Sequence, residues 1–291
     1  MPQSAEITCD GDQSDMKTGF VGIGSMGGML VRALLRSGAL ASDDTWAANR
    51  SPAKLDALAV DFPGIRVADA QQLATVCDLI FLCVGTAEVP TVIAKVHAQL
   101  NPKQLLITTS GAIPLRVLED QVPCRVAKLI PSITQEIGAG IALLMYGLRI
   151  TAEDRVFVEE LLGRISKPIV ISESLARPAI GLASGGPAML AYVLQSMAGE
   201  AVRSNPELSP ELARNLVEET AVATMKLISE ANMTTEEIVR RVAVPGGMTA
   251  LAIEILSRHV PQAWQSVFRE TAERERKGRK LFSHDKKRDV Q

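Results

Sequence analysis

The chain has 291 residues, 47% of them hydrophobic and 22% charged, which is long enough for two ordinary domains and too apolar to stay disordered. Lys+Arg 31 against Asp+Glu 33 leaves a net charge of -2, and with only 3% aromatic residues the composition argues against a nucleic-acid binder. No apolar run reaches the roughly 18–20 residues that span a bilayer, so no membrane attachment is expected.

Residues 1–18 are polar, lack a secretory pattern and read as a flexible tail, with Met16 as an alternative start. From Gly19 to about Ser172 short β-rich runs alternate with helical stretches. The expected strands are GFVGI (19–23), TWAAN (45–49), DLIFLCV (78–84), QLLITT (104–109), RVAKLI (125–130) and KPIVIS (167–172). Between the first two, Met29, Leu30, Ala33 and Leu34 keep the spacing of a helix lying on a sheet. Such alternation predicts an α/β Rossmann-like domain over 19–172 with a mostly parallel sheet.

Beyond residue 173 the strand signals stop. Ser209-Pro210 opens a helix with a cap and a proline at its first position, and Thr234 to Glu237 has the spacing of a capping box. Val260-Pro261 is read as the opening of a last long helix. The helices of 173–282 carry small and apolar residues on more than one face, which predicts an all-α domain that completes its core with a second subunit. Residues 283–291 form a basic tail, continuing the run Arg274, Arg276, Lys277, Arg279, Lys280 with Lys286, Lys287 and Arg288. A solvated helix end accounts for it, and no function is assigned.

Phe20-Val21-Gly22-Ile23-Gly24-Ser25-Met26-Gly27 is GxGxxG between a strand and a helix, the context of a dinucleotide fingerprint. Gly22 allows the tight turn, Gly24 the approach of a pyrophosphate, and Gly27 close helix packing. At the end of the second strand an NAD-binding protein would place an acidic residue to hold the ribose hydroxyls. Here stand Asn49, Arg50 and Ser51, and an arginine with two small polar neighbours suits a 2′-phosphate. NADP(H) is therefore expected over NAD(H), the lesser alternative being that Arg50 is a solvated loop residue. Cys9, Cys77, Cys83 and Cys124 are scattered, as are His97, His259 and His284. They read as reduced thiols of a cytoplasmic protein, with no metal site expected.

In the helical half, Ser184-Gly185-Gly186-Pro187-Ala188 and Val244-Pro245-Gly246-Gly247-Met248-Thr249 place glycine pairs before helices. Free N–H groups there could hold a carboxylate, or the pairs could be plain helix-to-helix turns. Together with the glycine loop, Asn49-Arg50-Ser51, Thr109-Ser110-Gly111-Ala112 and Lys128-Leu129-Ile130-Pro131-Ser132, these segments resemble the pyrroline-5-carboxylate reductase family from about Gly19 to Phe282. The resemblance implies reduction of a cyclic imine carboxylate with a nicotinamide cofactor. It also implies a homodimer interleaved through C-terminal helices, sometimes assembled into rings, with the site where the nicotinamide meets the partner's helices. Thr249 matches the threonine whose hydroxyl approaches the substrate nitrogen. Ser132, Val244, Gly246, Gly247 and Met248 fall at substrate positions, and Ile23, Ser25, Met26, Val84, Gly85, Thr86, Ser110, Gly111 and Pro131 at cofactor positions beside those already named. The hydroxyacid dehydrogenases instead use a lysine on the helix that begins their second domain, and residues 183–202 contain no Lys.

Three segments depart from the family pattern. Ile130-Pro131-Ser132 replaces Met-Pro-Asn, Gly85-Thr86 replaces Lys-Pro, and Val244 replaces the serine before Pro-Gly-Gly. That serine donates to the substrate carboxylate, a contact worth about 1.5–3 kcal/mol. The run Leu129 to Thr134 also resembles a divergent branch containing a competence-operon protein. Alternatives to pyrroline-5-carboxylate reduction are thus a paralogue acting on another imine, or a weakly catalytic NADP-binding regulatory protein.

Overall fold

The computed structural model describes residues 16–283, with side chains given through residue 274 and for Arg276. The remainder of the basic end read from the sequence lies outside the described side chains. The chain divides into two compact units, one ending at Ser184 and the other starting at Gly185.

In the first unit eight strands form one sheet: β1 Thr18–Val21, β2 Thr45–Ala48, β3 Arg66–Val67, β4 Leu79–Leu82, β5 Leu105–Thr108, β6 Arg125–Ile130, β7 Ile141–Tyr146 and β8 Lys167–Val170. Their order is β3-β2-β1-β4-β5-β6-β7-β8, and every neighbouring pair is parallel except β6 with β7. This is the Rossmann-like, mostly parallel sheet expected from the alternating text.

Alternate strand residues feed opposite faces, so the central strands are apolar throughout. Phe20, Leu79, Phe81, Ile107 and Leu129 meet helices α1 Ser25–Arg36, α2 Pro52–Asp61 and α6 Ala152–Gly163 through Leu30, Leu34, Leu58, Val158 and Leu162. Phe20 and Phe81, in register on β1 and β4, stack at 4.7 Å between ring centroids. On the other face Ile80, Leu82, Leu106, Val126 and Leu143 meet α3 Ala70–Val76, α4 Val89–Val96 and α5 Leu115–Glu119 through Leu73, Ile93 and Leu118. Burial of these side chains, about 1.5–3 kcal/mol each, holds the three layers together.

The structure differs from the sequence reading at the first strand and in the number of strands. Lys17 and Thr18 belong to the sheet and not to a tail, because the Lys17 carbonyl accepts from Asp78 N (2.8 Å) and Thr18 pairs with Thr45 and Leu79. The sheet contains β3 and β7, neither of which was expected. Helix α7 Ala176–Ala183 belongs to the first unit, since buried Ala176 and half-buried Ala179, Ile180 and Ala183 pack into the second core.

The second unit consists of helices α8 Gly186–Ser204, α9 Pro210–Ser229, α10 Thr235–Val242 and α11 Met248–Ser283. Ser209 and Thr234 cap as expected, with Leu212 N donating to Ser209 Oγ (3.2 Å) and Glu237 N to Thr234 Oγ1 (3.1 Å). Pro261 does not open a helix but lies inside α11. A proline there leaves one carbonyl of the preceding turn without its helical donor, a cost this long helix absorbs. Among the described residues of this unit only Gly186, Ala198 and Ala213 are buried. No described helix is long and apolar enough to cross a membrane.

Candidate functional site

The strand order reverses between β1 and β4, and ligands of open α/β sheets bind outside the carboxyl ends of the strands at that reversal. There β1 runs into Gly22, whose N–H donates to Ala48 O (2.8 Å) and whose φ is +98°. A Cβ at Gly22 would also lie 2.7 Å from the Cys83 carbonyl oxygen, so only glycine fits. A Cβ at Gly27 would lie 2.0 Å from Gly22 O and 2.7 Å from Cys83 Cβ, because α1 rests directly on the turn and on the end of β4. Gly24 differs: it precedes α1, and a Cβ there meets nothing within 4 Å. No side chain caps α1 and its first turn has no acidic residue. A helix start with open space and uncapped donors fits the pyrophosphate of a dinucleotide.

The other expected cofactor residues gather at the same end of the sheet. Ile23 is buried, and its N–H is already taken by Asn49 Oδ1 (3.0 Å), while Asn49 Nδ2 donates to Ser51 O (3.1 Å). Asn49 is therefore a brace between the glycine loop and the β2 end, where the sequence reading made it a phosphate contact. Ser25 is exposed and Met26 half-buried against the core. Ser51 precedes Pro52 at the start of α2 without capping it. Arg50 is 90% exposed, and its Nη2 lies 2.5 Å from Glu88 Oε1.

Val84, Gly85 and Thr86 follow β4, and Ser110 and Gly111 follow β5. The Thr86 and Ser110 hydroxyls are 3.0 Å apart and join these two loops. Burial pushes the Cys83 thiol beneath the loops up to about 12, which leaves it protonated and unreactive as a nucleophile. Lys128 is buried, with Nζ 2.5 Å from Glu173 Oε1 and 3.4 Å from Gly111 O. Glu173 also accepts from Leu115 N (3.0 Å), so one carboxylate fastens β6 to the start of α5. Pro131 and Ser132 are buried, and the Ser132 hydroxyl accepts from Thr134 Oγ1 (3.1 Å) within its own turn. As folded, Ser132 supports that turn and presents no surface to a substrate.

In the second unit Gly246 has φ +76°, and Gly247 N donates to Val244 O (3.0 Å). The turn leads straight into α11, so Thr249 is the second helical residue and does not cap. Thr249 is exposed, Val244 is 54% and Met248 80% exposed. Glu88 was missed from sequence; its only signal is its position three residues after Gly85, the spacing at which its Oε2 accepts from Gly85 N (3.1 Å).

Residues 173–278 match the model for the pyrroline-5-carboxylate reductase dimerisation domain, and residues 17–111 that for NADP oxidoreductase, coenzyme F420-dependent. Pyrroline-5-carboxylate reductase 3 of Bacillus subtilis (strain 168) is 31% identical over 254 residues, 87% of this chain and 93% of that protein. The chain belongs to the pyrroline-5-carboxylate reductase family. ComE operon protein 4 of the same organism is 30% identical over 88% of this chain and 94% of its own. Among solved structures, a pyrroline-5-carboxylate reductase from Coxiella burnetii superposes with a TM-score of 0.80 at 22% identity, covering 90% of this chain and 98% of that one. The Plasmodium falciparum pyrroline carboxylate reductase with NADP bound gives 0.77 at 19% identity, over 92% and 98%. These two share the fold.

Proposed function

We propose that this family member is an oxidoreductase that reduces a cyclic imine carboxylate, with pyrroline-5-carboxylate as the first substrate, and that it prefers NADPH. The observation that carries the reading is the open, uncapped start of α1 at Gly24, located at the strand reversal of a chain whose helical half matches a reductase dimerisation domain. NADPH supplies the hydride when bound. The chain's own part is to seat the pyrophosphate on the first turn of α1 and to offer Arg50 to the 2′-phosphate. Loops 84–86 and 110–111 line the path toward the reacting end.

The second unit supplies a hydroxyl at Thr249 to orient the imine nitrogen and a backbone donor at Gly246 for the carboxylate, while Gly247 N holds the turn through Val244 O. A protonated imine accepts hydride without a strong enzyme acid, so one neutral donor and good placement suffice. The exposed Leu190, Tyr192, Met197, Leu216 and Met225 of the same unit support a homodimer, since a domain with so little buried apolar surface does not hold itself together. Three free described thiols (Cys77, Cys83 and Cys124) support a cytoplasmic, reducing setting.

One observation favours a second reading. Val244 is an exposed apolar side chain where the family has a serine, which removes a donor to the carboxylate and suits a less polar imine. Oxidation of NADPH followed against a panel of cyclic imines tests both. Turnover of pyrroline-5-carboxylate above the other imines supports the first, and turnover of an imine lacking the carboxylate supports the second. Cofactor binding without any turnover refutes both and leaves a regulatory NADP-binding protein.

A further inference from the structure

Arg50 does not stand free at the end of β2. Its guanidinium lies 2.5 Å from Glu88, on the loop after β4. Strands β2 and β4 are separated by β1, so this ion pair bridges across the strand that carries the glycine loop. Glu88 is also set in place by its own turn: its Oε2 accepts from Gly85 N (3.1 Å) and its N–H donates to Gly85 O (2.8 Å). The side chain that would greet a 2′-phosphate is thus already neutralised by a fixed carboxylate.

We propose that Glu88 sets the cofactor choice of this site by competing with a ribose 2′-phosphate for Arg50. The inference rests on the cofactor reading above. NAD-binding proteins carry their ribose-binding carboxylate at the end of β2 itself; here a carboxylate reaches that end from the loop after β4, where the dianionic 2′-phosphate of NADP is drawn to Arg50 and repelled by Glu88. Having both charges narrows the gap between the two dinucleotides. Arg50 alone would widen it and Glu88 alone would invert it.

The test is calorimetric titration of the full-length protein with NADP+ and with NAD+ at one ionic strength. Wild type is compared with Glu88→Gln, Glu88→Asp and Arg50→Ala. The glutamine keeps an oxygen for Gly85 N while losing the charge, and unliganded melting curves check that the loop survives. Glu88→Gln should raise the ratio of NADP+ to NAD+ affinity about tenfold, the effect of one unit charge on a nearby dianion in water. Glu88→Asp should leave the ratio near wild type, and Arg50→Ala should bring it to unity or below. A ratio within twofold of wild type in Glu88→Gln overturns the proposal while the cofactor reading stands. An equal rise in Glu88→Asp also overturns it, since loop disruption and not charge would then be the cause. If wild type binds neither dinucleotide, the cofactor reading falls and this inference falls with it.

Discussion

Replacing Gly24 and Gly27 in turn by alanine separates binding from folding within a single loop. At Gly27 the new methyl would stand 2.0 Å from the Gly22 carbonyl oxygen and 2.7 Å from Cys83 Cβ. Neither is the end of a flexible side chain, so α1 itself must move. Overpacking of this kind costs about 3 kcal/mol, which for a domain of this size lowers Tm by about 10 °C. At Gly24 the same methyl meets nothing within 4 Å, and φ −79°, ψ −161° is open to any residue. Alanine there loses a few tenths of a kcal/mol of cap preference and regains a similar amount from a stiffer unfolded chain. Tm should therefore move by less than about 3 °C. If the pyrophosphate comes down onto this helix start, the methyl occupies its approach and forfeits charge-assisted hydrogen bonds, about 1.5–3 kcal/mol or 10- to 150-fold in affinity. Thermal melting together with NADPH titration by nucleotide fluorescence reads both quantities. Unchanged NADPH affinity in a folded Gly24→Ala protein would refute the assignment of this helix start to the cofactor.

Thr249→Ala should lower kcat/KM on the true substrate by about 10²-fold or less, because it removes one neutral donor. NADPH affinity and Tm should barely change, since Thr249 is exposed and lies inside the first turn of α11; a drop in Tm with unchanged kinetics argues for a structural role. Val244→Ser restores the family hydroxyl and should raise turnover of pyrroline-5-carboxylate; a folded, NADPH-binding variant with no detectable turnover removes that substrate from consideration. Glu173→Gln removes the carboxylate charge beside buried Lys128 while keeping an oxygen for Leu115 N, and should cost about 1 kcal/mol in denaturant unfolding; an unchanged midpoint contradicts the importance of this pair. Sedimentation of dilute protein should give at least twice the 31.2 kDa chain mass, and a stable monomer refutes the subunit-completed core.

The layered core was legible because strands buried on both faces write themselves as apolar runs between helical periods, and RVAKLI became β6 without adjustment. IALLMY was not legible for the same reason: six apolar residues in a row have no period to separate strand from helix. What makes it a strand is tertiary. Gly138 and Gly140, at φ +67° and +83°, turn the chain so that Leu143 comes into antiparallel register with Ile130. β3 has two exposed residues and owes its existence to pairing with β2 alone. Pro261 misled because a proline is a common helix opener, while α11 is long enough to carry one inside.

At the site the limit is of another kind. The glycine loop could be read because Gly22 and Gly27 each answer a local steric demand, set by residues next to them in the chain or on the adjoining strand, while Gly24 leaves the helix start open. Asn49, Arg50 and Ser51 are as local in sequence, but their roles are assigned by what the fold brings opposite them. Asn49 faces the Ile23 amide and spends its side chain there, and Arg50 faces Glu88. A positive charge at a strand end draws a phosphate less strongly where a carboxylate from a neighbouring loop already answers it, as Glu88 does here. Here β1 lies between the two loops, so no window of sequence contains both members of the pair. On the proposal above, cofactor preference follows from Arg50 and Glu88 jointly and not from the end of β2 alone.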